Sequence, residues 1–258
     1  MEHQMRALAI ALLLTLACAP VPGAELALHE LSIASHGRDV SVRCYSTPAA
    51  GPLPVVVLLH GAGGFGPFSR HFERYAEAFA AEGLRTCAVL YYSAGDSRVA
   101  SGRDRTENSA LFQTRFMAWL ETINDVVDEL SQLPITEREK VGVLGFSQGG
   151  YLAVGIAGTN RRIKALAEFY GGFPRSLERR ITLLPATLIV HGESDTVIPV
   201  QEALVMEAAA KLRTSSVTMK LYAGAEHGFD GAADDPSAVD ARKKTIEFFL
   251  SHLRKTGN

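Results

Sequence analysis

Ser147 lies in the run Gly145-Phe146-Ser147-Gln148-Gly149, which reads G-x-S-x-G. The apolar segment 140–144 precedes it, and the small-residue segment 150–157 follows. Strand, sharp turn and helix is the setting in which such a serine stands exposed on a strained turn and acts as a nucleophile. A serine hydroxyl attacks poorly at neutral pH unless a base takes its proton and an acid orients that base. Functional residues on open parallel sheets gather at the carboxyl ends of strands. Two loops that follow strand-like runs carry the missing groups. Asp195 follows the run 187–190, and His227 follows the run 217–222. Glu193 and Asp230 are the nearest rivals for the acid. Serine, aspartate and histidine, each after a different strand, make a hydrolytic triad.

The oxyanion of such a reaction needs fixed donors. One is the backbone N–H of Gln148, whose side chain carries no expected role. The second comes from the Gly-rich loop 60–64, with Ala62 first and Gly63 next. That loop also matches G-x-G-x-x-G over 61–66, a dinucleotide-binding pattern. Such a site wants an acidic residue at the end of the next strand. Leu90-Tyr91-Tyr92-Ser93 offers none, so the hydrolytic reading is preferred. Aromatic residues beside the expected strand ends suggest an apolar acyl or aryl pocket, with Phe65, Tyr91 and Phe229 as its expected walls. No metal set is visible, and no metal or cofactor is expected.

The elements that position these residues alternate along the chain. Strands are expected at 28–33, 40–45, 54–59, 86–92, 140–144, 163–170, 186–191 and 217–222. Helices are expected at 68–82, 112–133, 150–157, 200–212 and 237–253, several with apolar residues at helical spacing. Residues 93–108 are polar and read as a long loop. Strands alternating with helices argue for a mostly parallel sheet covered on both faces, in one domain.

The chain has 258 residues with a formal charge of -2 and 47% apolar residues. That balance supplies a full core and gives no electrostatic footprint for nucleic acid. Arg6, the apolar run 7–17 and the small residues to Ala24 describe a secretory signal peptide over 1–24, ahead of a domain over 25–258. The run is too short to span a bilayer. An exported protein, periplasmic or extracellular, is expected; a lipoprotein anchored through Cys18 is the less favoured reading. Cleavage would leave Cys44 and Cys87, as buried thiols or as a disulfide.

The Gly-rich loop at His60, the run Gly145–Gly150, Gly192-Glu193-Ser194-Asp195 with Pro199, and His227-Gly228-Phe229 together resemble the α/β-hydrolase superfamily. Within it the chain resembles dienelactone hydrolase family proteins. The resemblance implies an eight-stranded α/β-hydrolase fold and a carboxylic ester hydrolase acting on a small-molecule ester. A peptidase or thioesterase on the same triad, or a non-catalytic binding protein on a hydrolase scaffold, are the alternatives. It also implies that the strands of Cys44 and Cys87 are neighbours, which keeps a disulfide between them open beside two buried thiols. The chain departs from the family pattern in three places. Ser147 stands where the nucleophile is cysteine, Gly61 where a glutamate partners the thiol, and Ser93 where an arginine receives the substrate carboxylate.

Overall fold

The computed structural model describes residues 26–49, 51–102 and 104–254. The expected signal peptide and Cys18 lie outside them.

The first two strands form a hairpin, β1 (Ala27–Ser35) and β2 (Arg38–Ser46). Its two-residue turn has φ 47° at His36 and 74° at Gly37. Two positive φ values match the twist of the flanking strands. The remaining strands are β3 (Leu53–Leu59), β4 (Arg85–Val89), β5 (Thr136–Phe146), β6 (Ile163–Phe169), β7 (Ala186–Gly192) and β8 (Val217–Tyr222). They form one eight-stranded sheet in the order β1-β2-β4-β3-β5-β6-β7-β8. β2 is antiparallel to β1 and β4, and every pairing from β4 to β8 is parallel. All five residues of β4 and Pro54–Leu59 of β3 are buried, as strands covered on both faces are.

Helices cover the two faces. α1 (Ser69–Ala81) and α6 (Pro236–Leu253) pack on one, burying Phe72, Tyr75, Phe79 and Phe249. α3 (Arg105–Leu130), α4 (Gln148–Thr159) and α5 (Gln201–Lys211) pack on the other, with Trp119, Ile123, Leu152 and Met206 in that core. Cys44 and Cys87 face each other across β2 and β4 and form a disulfide.

One expected element is corrected. Residues 93–108 are not a long loop: they contain α2 (Ala94–Ser101) and the first turn of α3. Their polar residues start helices. The Ser93 hydroxyl accepts from the Asp96 N–H at 3.1 Å, and the Asp96 carboxylate accepts from the Ser93 N–H at 2.9 Å. This reciprocal capping box satisfies two otherwise unpaired donors. Asp104 likewise accepts from the N–H groups of Thr106 and Glu107 at the head of α3. Asp96 also accepts from the Trp119 indole at 3.0 Å, so the same carboxylate pins α2 to α3.

Candidate active site

Ser147 sits between β5 and α4 with φ 55° and ψ -121°. A non-glycine residue in that region is strained, and here the surroundings over-determine it. The Ser147 N–H donates to Phe169 O at 2.8 Å, and its carbonyl accepts from the Gly150 N–H at 2.8 Å. A Cβ on Gly145 would run into the Gly149 carbonyl, and a Cβ on Gly149 into the carbonyls of Leu59 and His60. The flanking glycines therefore let the turn close tightly enough to present the hydroxyl.

His227 reaches Ser147 from the loop after β8. Its Nδ1 lies 2.7 Å from Asp195 Oδ2 and its Nε2 2.9 Å from Ser147 Oγ. An ionised carboxylate only accepts, so Nδ1 carries the proton and Nε2 is left to accept from the serine hydroxyl. Asp195, buried in the loop after β7, is fixed by the N–H groups of Val197 and Ile198, each 2.8 Å from its Oδ1. Ser194 N–H donates to Ala225 O and Glu193 N–H to Tyr222 O, which binds the aspartate loop to the histidine loop. His191, fully buried behind them, gives Nε2–H to Ile198 O at 2.8 Å. Burial lowers its pKa, which keeps a second positive charge away from Asp195.

The rivals for the acid stand elsewhere. Glu193 is exposed. Asp230 is buried and accepts from Tyr75 at 2.8 Å and Tyr170 at 2.7 Å. Its partner Tyr170 stands between it and His227, with the ring centroids of Tyr170 and His227 4.7 Å apart.

The Gly-rich loop passes directly over Ser147: a Cβ on Gly61 would lie 3.2 Å from Ser147 Cβ. Ala62 and Gln148 both border the cavity above Ser147. Gln148 is the first residue of α4, so its N–H has no carbonyl of its own helix to bond and points where the helix end favours an anion.

Side chains not foreseen from sequence hold this loop. Tyr91 donates to His60 O at 2.6 Å, and Tyr92 donates to Ala62 O at 3.2 Å. The buried Gln148 amide donates to Tyr92 Oη at 2.7 Å, with Tyr91 Oη at 3.4 Å. His60 stacks on Tyr91 with ring centroids 4.0 Å apart. Burial pulls its pKa down to about 4, so the packed ring is neutral. The residue after Ser147 is thus tied through two tyrosines to the loop opposite. The available signal was the Tyr91-Tyr92 pair at a buried strand end, since buried phenols require partners.

A cavity of about 890 Å³ opens above Ser147 and His227. Phe68, Phe72, Phe112, Phe146, Tyr151 and Tyr170 supply its aromatic walls. The expected walls Phe65, Tyr91 and Phe229 are not among them. Phe65 packs inward on Phe72, Tyr91 lies behind the loop against His60, and Phe229 is turned onto Tyr222. Each was placed by chain position beside a strand end, but the core claimed the ring. Among the described residues no group of three or more His, Cys, Asp or Glu side chains could hold a metal ion, and no helix is long and apolar enough to cross a membrane.

Comparison with known proteins places this site in context. A model described as the dienelactone hydrolase family matches residues 41–255. A carboxymethylenebutenolidase homolog of Xenopus tropicalis is 27% identical over 187 residues, covering 69% of this chain and 74% of that protein. The solved dienelactone hydrolase of Anabaena variabilis superposes with a TM-score of 0.67 at 19% identity, covering 89% of this chain and 99% of that one. A thermophilic carboxylesterase cloned from a metagenomic library gives 0.68 at 16% identity, with 90% of each chain covered. These structural likenesses establish the α/β-hydrolase fold.

Proposed function

The chain belongs to the dienelactone hydrolase family, and from that premise we propose that it is a serine hydrolase that cleaves carboxylic esters through an acyl-enzyme. The observation that carries this reading is the unbroken chain Asp195–His227–Ser147 at 2.7 and 2.9 Å, built on a strained nucleophile turn. Ser147 Oγ attacks the ester carbonyl as His227 Nε2 takes its proton. Asp195 stabilises the imidazolium that forms. The N–H groups of Ala62 and Gln148 receive the oxyanion. His227 returns the proton to the leaving alkoxide, and the alcohol departs. A water, deprotonated by His227, then releases the acid and restores the serine. A preformed donor of this kind is worth about 3–4 kcal/mol of barrier. No feature of the mechanism calls on a cofactor.

Hydrolysis of p-nitrophenyl esters by the purified protein beside Ser147→Ala tests the reading. Activity that disappears in the variant supports it; equal activity in both would sink it.

We further infer that the protein is exported. The apolar run at 7–17 and the Cys44–Cys87 disulfide support this, since disulfides persist in oxidising compartments. N-terminal sequencing should find a start near Ala24, and thiol labelling of that protein should find Cys44 and Cys87 unreactive. Two free thiols in an uncleaved chain would overturn the inference.

A further inference from the structure

The cavity above Ser147 does not end at Tyr151. A second cavity of about 690 Å³ adjoins it. Phe112, Tyr151, Val197 and Ile198 line both, so the two are lobes of one groove. Phe116 and Met117 of α3 and Phe173 and Pro174 after β6 complete the apolar wall of the second lobe. Its two charged residues, Arg175 and Glu202, pair at 3.0 Å and cancel. Met117 and Val197 are among the large apolar side chains that remain exposed, at 38% and 44%. A neutral, partly exposed apolar surface that continues from a nucleophile's cavity is suited to an uncharged hydrocarbon.

The site's geometry decides which part of an ester would reach it. The tetrahedral centre on Ser147 has three remaining directions. The oxyanion takes the one toward Ala62 and Gln148. The leaving oxygen must take the one toward His227 Nε2, which gives it a proton. His227 stands on the flank of Tyr170, His71 and Phe72, which belongs to the sheet face covered by α1 and α6. The acyl substituent is left with the opposite flank. Phe112 of α3 and Tyr151 of α4 stand there, packed on the other sheet face's core, and the second lobe opens behind them.

We propose that the second lobe is an acyl-chain subsite and that the substrates are esters of medium to long apolar acyl groups. This rests on the ester hydrolase reading above. Each methylene that the lobe buries is worth about fourfold in binding. Extending the acyl group from acetyl to octanoyl should therefore raise kcat/KM by at least about 10-fold.

The test fills the lobe. Met117→Trp and Ser176→Trp alter exposed positions that line the second lobe and not the catalytic cavity. Each should lower kcat/KM for p-nitrophenyl octanoate by about 10-fold or more. Each should leave p-nitrophenyl acetate within about twofold of the parent, which also shows that the variant is folded. Acetate and octanoate falling together, or neither falling, would overturn the subsite. Slowed octyl acetate with unchanged p-nitrophenyl octanoate would give the lobe to the alcohol and overturn the assignment. A parent protein that cleaves none of these esters would overturn the hydrolase reading itself, and is recognised without either tryptophan variant.

Discussion

The two flanks of Ser147 are built on different principles. On one, the three side chains of the proposed triad touch directly, at 2.9 and 2.7 Å. On the other, the proposed oxyanion donors are backbone N–H groups, and the side chains beside them hold the backbone still. Tyr91 and Tyr92 grip the carbonyls of His60 and Ala62, and Gln148 grips both tyrosines. Chemistry done by side chains is written in residue types. Chemistry done by the main chain is written in whatever clamps it, and those residues need carry no motif.

The sharpest way to break this comparison is at the triad. Ser147→Ala should cost at least about 10⁴-fold in kcat, leaving only the contribution of binding and the oxyanion donors. Asp195→Asn should cost on the order of 10³–10⁴-fold, because an amide at that position favours the wrong imidazole tautomer. Single-turnover kinetics on a p-nitrophenyl ester measures both. If Glu193→Gln matched Asp195→Asn, the assignment of the acid would be wrong.

The clamp should yield a smaller and different loss. Gln148→Met keeps the backbone N–H and removes the amide that holds Tyr92. It should lower kcat by about 10-fold to 100-fold, short of the loss of a whole oxyanion donor, with KM little changed. Tyr92→Phe removes the hydroxyl that bridges Gln148 to Ala62 O and should lower kcat by roughly 3-fold to 10-fold. A loss confined to KM would mean that these residues bind substrate and do not position the loop.

The same contrast explains what the sequence disclosed. Ser147 stands out by its G-x-S-x-G run, and Asp195 and His227 by loops that follow strands in chain order; the structure brings the three side chains together. The strands and most helices were legible because apolar runs and helical spacing reflect which face is buried. Residues 93–108 look like a loop in sequence because Ser93, Asp96 and Asp104 are residue types shared by loops and helix starts. Only the caps they make distinguish the two. The pocket walls failed for another reason: position beside a strand end does not say whether a ring turns out to the cavity or in to the core. Phe65 and Phe229 turned in.

The smallest effect on rate is expected beneath the nucleophile, where a second carboxylate contrasts with Asp195. Glu168 pairs with Gly145 in the sheet and is fully buried. Its Oε2 accepts from the Gly171 N–H at 2.9 Å, while Oε1 has no partner among the described residues. Asp195 has donors for both oxygens; Glu168 does not, and burial pushes its pKa up to about 8. In the unfolded chain the same group ionises near 4.5. Between those values the folded protein holds a proton that the unfolded chain has lost. Stability therefore falls as pH rises through that window, by up to about 1.4 kcal/mol per pH unit, and levels off above it. Glu168→Gln cannot ionise, so it should remove this part of the slope. It should raise stability by a few kcal/mol at about pH 8 relative to the parent, with less gain at about pH 5. kcat should stay within about twofold, since the group touches no reacting atom. Urea unfolding at the two pH values reads the slope directly. An unchanged slope in Glu168→Gln would mean that the buried carboxylate is already ionised and paired in the fold.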